Sequence, residues 1–262
     1  MFGGSVFLFP HPVKELADFL KNYDMHINYD AAHVAGLIAG GEFQDPLREG
    51  VDTMTMSTHK TLFGPQGGLV LAFENNAEAI KKATFPGLTS SHHIHHMAAK
   101  AITFAEALEF GKDYAVQTVK NAKALAVALN DLGFKVLGEK KGFTQSHQAV
   151  LNVLDYGDGG KIEADLEKAN IIVNRQLIPG DLKAKRHYMH PGGIRLGSSE
   201  VTRLGMKESE MQQIASFIKQ IVIDKKDAKE IVNQVAEFRN NFQKTQYCFD
   251  NKLGAYEYVK LR

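Results

Sequence analysis

Between residues 13 and 73 the apolar pattern keeps changing its period, and this alternation narrows the fold more than any other feature. VKELADFLKNY (13–23) spaces Val13, Leu16, Ala17, Phe19 and Leu20 along one helix face. MHINYD (25–30) follows as a buried strand ending at Asp30. A polar turn leads to DTMTM (52–56) as a second strand, and a Gly-rich turn leads to GLVLAF (68–73) as a third. Helix and strand in alternation predict an α/β layer on a mostly parallel sheet. In such sheets chemistry gathers at the carboxyl ends of the strands.

The opening MFGGSVFLFPHP is apolar but carries no cationic segment and no small-residue cleavage site, so it does not read as a secretory signal. It is predicted to be a strand. Domains seldom begin in mid-strand, so the chain is expected to be the later part of a longer polypeptide. No run of about 18 apolar residues suits a bilayer. Lys and Arg total 31 against 30 Asp and Glu, which removes the charge excess that a nucleic-acid surface requires. The single cysteine, Cys248, can form no internal disulfide, which fits a reducing, cytoplasmic setting.

Past residue 77 the pattern turns helical to Gly111, interrupted by FPGLTSS (85–91). An amphipathic helix over 116–132 stops at Gly133, and FKVL follows as a strand. AVLNVLD, IEADLEKAN, IIVN and GGIRLG continue as strand, helix, strand and strand, and two helices close the chain. These patterns predict a domain over 1–111 and a smaller α/β domain over 112–262.

Asp30 stands at a strand end, His33 lies three residues on, and Lys60 follows another strand in STHKTLFGPQGG. A lysine amine forms a Schiff base with a carbonyl cofactor, and pyridoxal phosphate needs an acid at its ring nitrogen. A carboxylate and an amine on neighbouring strand ends can approach opposite edges of one ring. Two other clusters invite chemistry. HHIHH (92–96) puts His92 and His96 on one face if helical, but no Cys or nearby acid completes a metal set, so no metal is expected. The stretch from Arg175 to Arg186 is a basic loop, read as solvated rather than as a polyanion site.

DAAHVAGLIAGG (30–41) followed by TMSTHKTLFGPQGGLVL (55–71) resembles the active-site segment of serine hydroxymethyltransferases, which are fold-type-I pyridoxal-phosphate enzymes. FPG (85–87), VKNAKALA (119–126), KANIIVN (168–174) and GGIRLGSSEVTRLGMKESE (192–210) extend the likeness from about residue 3 to 220. The resemblance implies the later part of the cofactor-binding large domain with its connecting helix over 1–111, and a small α+β C-terminal domain over 112–262. It implies Lys60 as the Schiff-base residue and Asp30 as partner of the pyridinium nitrogen. His33 and Ser5 would lie near the phenolic oxygen, His59 near the phosphate, and Arg195 on the substrate carboxylate. The implied activity is serine–glycine interconversion with tetrahydrofolate as one-carbon acceptor, in a homodimer with shared sites.

Departures from the family pattern accompany these matches. Gln66 replaces an arginine, Ser90 and Ser91 replace a Gly-Gly pair that meets a neighbouring subunit's phosphate, and Gln176 replaces an asparagine near the folate. The phosphate-cradling loop, the ring that stacks on the cofactor and the Glu and Tyr of the family's upstream part are not in these residues. Two alternatives therefore stand beside the first. One is a folate-independent aldolase or hydroxymethyltransferase on another β-hydroxy or α-methyl amino acid. The other is a silent fragment, or one subunit of a split enzyme with a separate upstream polypeptide.

Overall fold

The computed structural model describes residues 1–250, 252, 254 and 255, which form two compact units, Met1–Val116 and Gln117 onward. The first unit is a four-stranded sheet in the order β1 (Phe2–Gly3), β2 (Asn28–Asp30), β3 (Thr53–Ser57), β4 (Gly68–Ala72). The first three strands are parallel and β4 is antiparallel to β3. Gly3, Asp30 and Thr55 stand side by side in register, so the carboxyl ends of β1 and β2 coincide there. Helix α1 (Val13–Leu20) buries Val13 and Ala17, and the five-residue α2 (Ala35–Ala39) buries Ala35, Gly36 and Leu37.

GSVFLF is not a strand. Only Phe2 and Gly3 pair with β2, and residues 4–9 belong to no strand. Their apolar content serves a different purpose: Phe7 is buried, stacked on His11 at 5.0 Å and edge-on to Phe43 at 6.1 Å. Gln44 ties the segment down, accepting from the His11 amide (2.8 Å) and the Tyr29 hydroxyl (2.9 Å) and donating to the His11 carbonyl (3.0 Å). Burial pushes the Tyr29 hydroxyl well above its ordinary proton affinity, so it stays a donor.

After β4 come α3 (Ala77–Lys82) and α4 (Ile94–Asp131). The predicted helix over 116–132 is only the last part of α4, because helical spacing continues through Gly111. Gly111 is buried, and its carbonyl lies where a Cβ on Gly40 would come within 2.6 Å. His92 precedes the helix, so His92 and His96 do not share a helix face.

The second unit holds an antiparallel sheet in the order β5 (Lys135–Val136), β6 (Gln148–Asn152), β8 (Gly193–Gly197), β7 (Asn174–Gln176). Around it are α5 (Gly159–Glu167), α6 (Ser199–Arg203), α7 (Glu208–Val222) and α8 (Ala228–Asn240). Alternation along the strands sends Ala149, Leu151, Ile194 and Leu196 into a core with Leu129, Ile162, Leu166, Met211, Ile218 and Ile231. Asp158 caps α5 by accepting from the Lys161 amide at 2.9 Å. The buried Asn121 amide donates to Thr202 Oγ1 (2.8 Å) and the Met206 carbonyl (2.9 Å), tying the last part of α4 to α6.

Candidate active site

Asp30 ends β2, and its Oδ1 accepts from the Ala32 amide at 2.9 Å, a local turn that aims the carboxylate off the strand end. Gly3 lies beside it with φ +106°, and a Cβ there would come within 2.4 Å of the Asp30 carbonyl and 2.8 Å of its Cβ. Only glycine leaves that approach open. Ser5 follows two residues later, on the exposed side.

Lys60 lies three residues past the end of β3, the parallel neighbour of β2. What joins the two strand ends is Thr61, which is fully buried. Its hydroxyl donates to the His33 carbonyl (2.8 Å) and accepts from the Gly36 amide (3.0 Å). Val34 stands at the N-cap of α2 and has no capping side chain, so Thr61 serves as a cap borrowed from elsewhere in the chain. Gly36 permits the contact: a Cβ there would lie 2.0 Å from the Thr61 carbonyl oxygen and 2.8 Å from the Leu62 nitrogen. Asp30, His33 and Lys60 are thereby gathered at one end of one sheet.

The turn after Lys60 is equally fixed. Thr58, also fully buried, donates from Oγ1 to the Pro65 carbonyl at 2.7 Å, and its amide donates to the Gly67 carbonyl at 3.0 Å. His59 is exposed and its Nδ1 accepts from the Gly67 amide at 3.4 Å, which presents Nε2 outward. One stripe of α4 follows the turn. His96 bonds to the backbone of Gln66, a Cβ on Gly67 would meet the Lys100 ammonium at 2.4 Å, and a Cβ on Gly64 would meet Thr103 at 2.8 Å. Tyr114 closes edge-on against Phe63 at 4.9 Å. Partial burial lowers the His96 proton affinity, and the nearby charges of His95, His93 and Lys100 lower it further.

Ser90 and Ser91 stand in the exposed stretch ahead of α4. The rings of His93, His95 and His96 pack 4.4–5.4 Å apart, yet among the described residues no three His, Cys, Asp or Glu side chains are arranged to hold a metal ion. No described helix is long and apolar enough to cross a membrane.

Arg195 belongs to the second unit, in the middle of β8 between the buried Ile194 and Leu196. It is half-buried, and burial pulls its guanidinium below the usual arginine range. One Nη donates to Asn174 Oδ1 at 3.2 Å, directly across the β7–β8 pair. The basic loop is anchored, not free. Arg175 pairs with Glu163, and the buried Asp181 accepts from the Ile178 amide (3.0 Å) and the Gly192 amide (2.7 Å) while facing Arg186 at 3.5 Å. Thr61, Gly36, Gly3 and Asn174 carry no local signal in the sequence, because each acts through a contact distant along the chain.

This arrangement has a close structural counterpart. The L-threonine transaldolase from Pseudomonas fluorescens, solved in its internal aldimine state, superposes with a TM-score of 0.84 at 34% identity, over 95% of this chain and 56% of that one. An α/β layer with a lysine beyond one strand end and a carboxylate on its neighbour is the frame of the fold-type-I pyridoxal-phosphate enzymes. Within that class, residues 7–218 match the family profile "Serine hydroxymethyltransferase", and the chain belongs to that family. The serine hydroxymethyltransferase of Nitrosopumilus maritimus (strain SCM1) is 79% identical over all 262 residues, and that of Pyrococcus furiosus is 54% identical over 259. The chain spans about 60% of the length of these relatives.

Proposed function

We propose that the protein containing this chain is a pyridoxal-phosphate-dependent, cytoplasmic hydroxymethyltransferase that interconverts serine and glycine, with tetrahydrofolate accepting the one-carbon unit. The observation that carries this is the Thr61 clasp, which sets the Asp30–His33 segment against the residue next to Lys60. The donor set fits the cofactor: an amine for its carbonyl, a carboxylate for its ring nitrogen, an imidazole near its oxygen, and a glycine gap at Gly3 beside the carboxylate.

When bound, pyridoxal phosphate supplies an electron sink for the pair released at the substrate Cα. Lys60 would supply the amine that holds the cofactor through its carbonyl carbon. Asp30 has one oxygen engaged by the Ala32 amide, and its carboxylate would hold a proton on the ring nitrogen. His33 and Ser5 orient the phenolic oxygen, and His59 offers Nε2 to the phosphate. Ser90 and Ser91, both exposed, would serve the phosphate of a second copy in a homodimer. Arg195 binds the substrate carboxylate through its planar fork.

Borohydride reduction of the cofactor-loaded full-length protein, followed by peptide mapping, tests the assignment. Label on the peptide containing Lys60 is expected, and label on Lys81 or Lys82 instead refutes it. A second outcome is favoured by the likeness to the threonine transaldolase: aldol-type transfer from another β-hydroxy amino acid without folate. Serine turnover that does not require tetrahydrofolate would select that alternative.

A further inference from the structure

Two stretches of the first unit have a one-sided charge pattern. No Asp or Glu stands between Asp52 and Glu74, nor between Glu78 and Glu106, yet these stretches hold Lys60, Lys81, Lys82, Lys100 and five histidines. The fold brings three of these side chains to one place, the Gln66–Gly67 backbone. The Gly67 amide donates to His59 Nδ1 at 3.4 Å, His96 bonds to the backbone of Gln66, and a Cβ on Gly67 would lie 2.4 Å from Lys100 Nζ. Because Gly67 has no side chain, the half-buried Lys100 can lay its ammonium against the turn that follows Lys60.

Among the described residues no hydrogen bond or ion pair holds that ammonium. The His96 ring lies close enough to feel its charge, and it is of like sign when protonated. A cation drawn partly out of water and set among imidazoles is costly there unless an anion meets it. The lysine ammonium is a compact point charge, which suits a phosphate group better than a planar carboxylate needing two parallel donors. We propose that Lys100 binds the phosphate of the cofactor together with His59. The proposal rests on the reading of Lys60 as the lysine that holds the cofactor and of His59 as a phosphate ligand.

The test titrates the full-length apoprotein with pyridoxal phosphate and, in parallel, with pyridoxal, which has the same aldehyde and no phosphate. Absorbance of the bound aldehyde gives a Kd for each. Lys100→Met keeps the length of the side chain and removes its charge. It should raise the Kd of pyridoxal phosphate at least about tenfold, as expected for one lost charge-assisted contact, and leave that of pyridoxal within about twofold. The phosphorus nuclear magnetic resonance of the bound cofactor should shift in the same variant. A lysine that only supports the turn predicts equal losses for both aldehydes, and that result overturns the proposal. An unchanged Kd for pyridoxal phosphate in Lys100→Met, with the native protein binding it normally, overturns the role of Lys100 alone. If the native protein captures neither aldehyde, the reading of Lys60 fails and the role of Lys100 falls with it.

Discussion

Replacing Thr61 with valine removes one oxygen and almost no volume, so nearly all of its effect should come from the two hydrogen bonds of the clasp. Thr61 is fully buried, its partners are the His33 carbonyl and the Gly36 amide, and the bonds measure 2.8 and 3.0 Å. A valine leaves a donor at the start of α2 and an acceptor at His33 without the hydroxyl, in a place that water reaches poorly. Unsatisfied buried groups cost about 1–3 kcal/mol each, and relaxation recovers part of that, so a loss of about 2–3 kcal/mol is expected. Thr61→Ser keeps the oxygen and should cost only about 1 kcal/mol for the lost methyl. Urea unfolding followed by far-ultraviolet circular dichroism gives both values. The same substitutions should separate in cofactor capture by the full-length protein, since the clasp sets the distance between the Asp30 segment and Lys60. A Thr61→Val protein as stable as the native one, or a Thr61→Ser protein equally damaged, would refute the clasp as the element joining the two strand ends.

Asp30→Asn should leave folding nearly untouched, because an asparagine oxygen can still accept from the Ala32 amide, while serine turnover in the full-length protein falls heavily for want of a charge to hold the ring proton. Wild-type turnover in that variant would remove Asp30 from its role. Asp158→Ala should cost about 1 kcal/mol at neutral pH through loss of the α5 cap. The Lys161 amide, and then His190, hold the Asp158 carboxyl below the usual carboxylate range. Its contribution is therefore complete above the unfolded value of about 3.9 and disappears as pH falls through the lower folded one. Stability of native and variant proteins, measured from pH 7 to pH 2, should converge at the acid end, and a constant gap would contradict this.

The sequence by itself determined most of the elements and the family. Period-two and helical spacing gave β2, β3, β4, α1, α5, α7 and α8 within a few residues, because burial on one face writes a local pattern, whereas the five-residue α6 left no such pattern. The segments around Asp30 and Lys60 gave the family, because their residues stand in the family's order and local spacing. Where local pattern ran out, it misled. GSVFLF is as apolar as a strand, but Phe7 spends that character on His11, Tyr29 and Phe43, and no local period distinguishes an aromatic cluster from a sheet edge. HHIHH suggests a helix face only until the helix is seen to begin at Ile94. Tertiary structure alone decided that Thr61 caps a helix 25 residues earlier in the chain, that Gly36 must lack a side chain to admit it, and that the acceptor facing Arg195 is an amide on the next strand. Each of these is a contact between residues distant along the chain, whose partners are chosen by how the backbone folds back and not by the composition around either one.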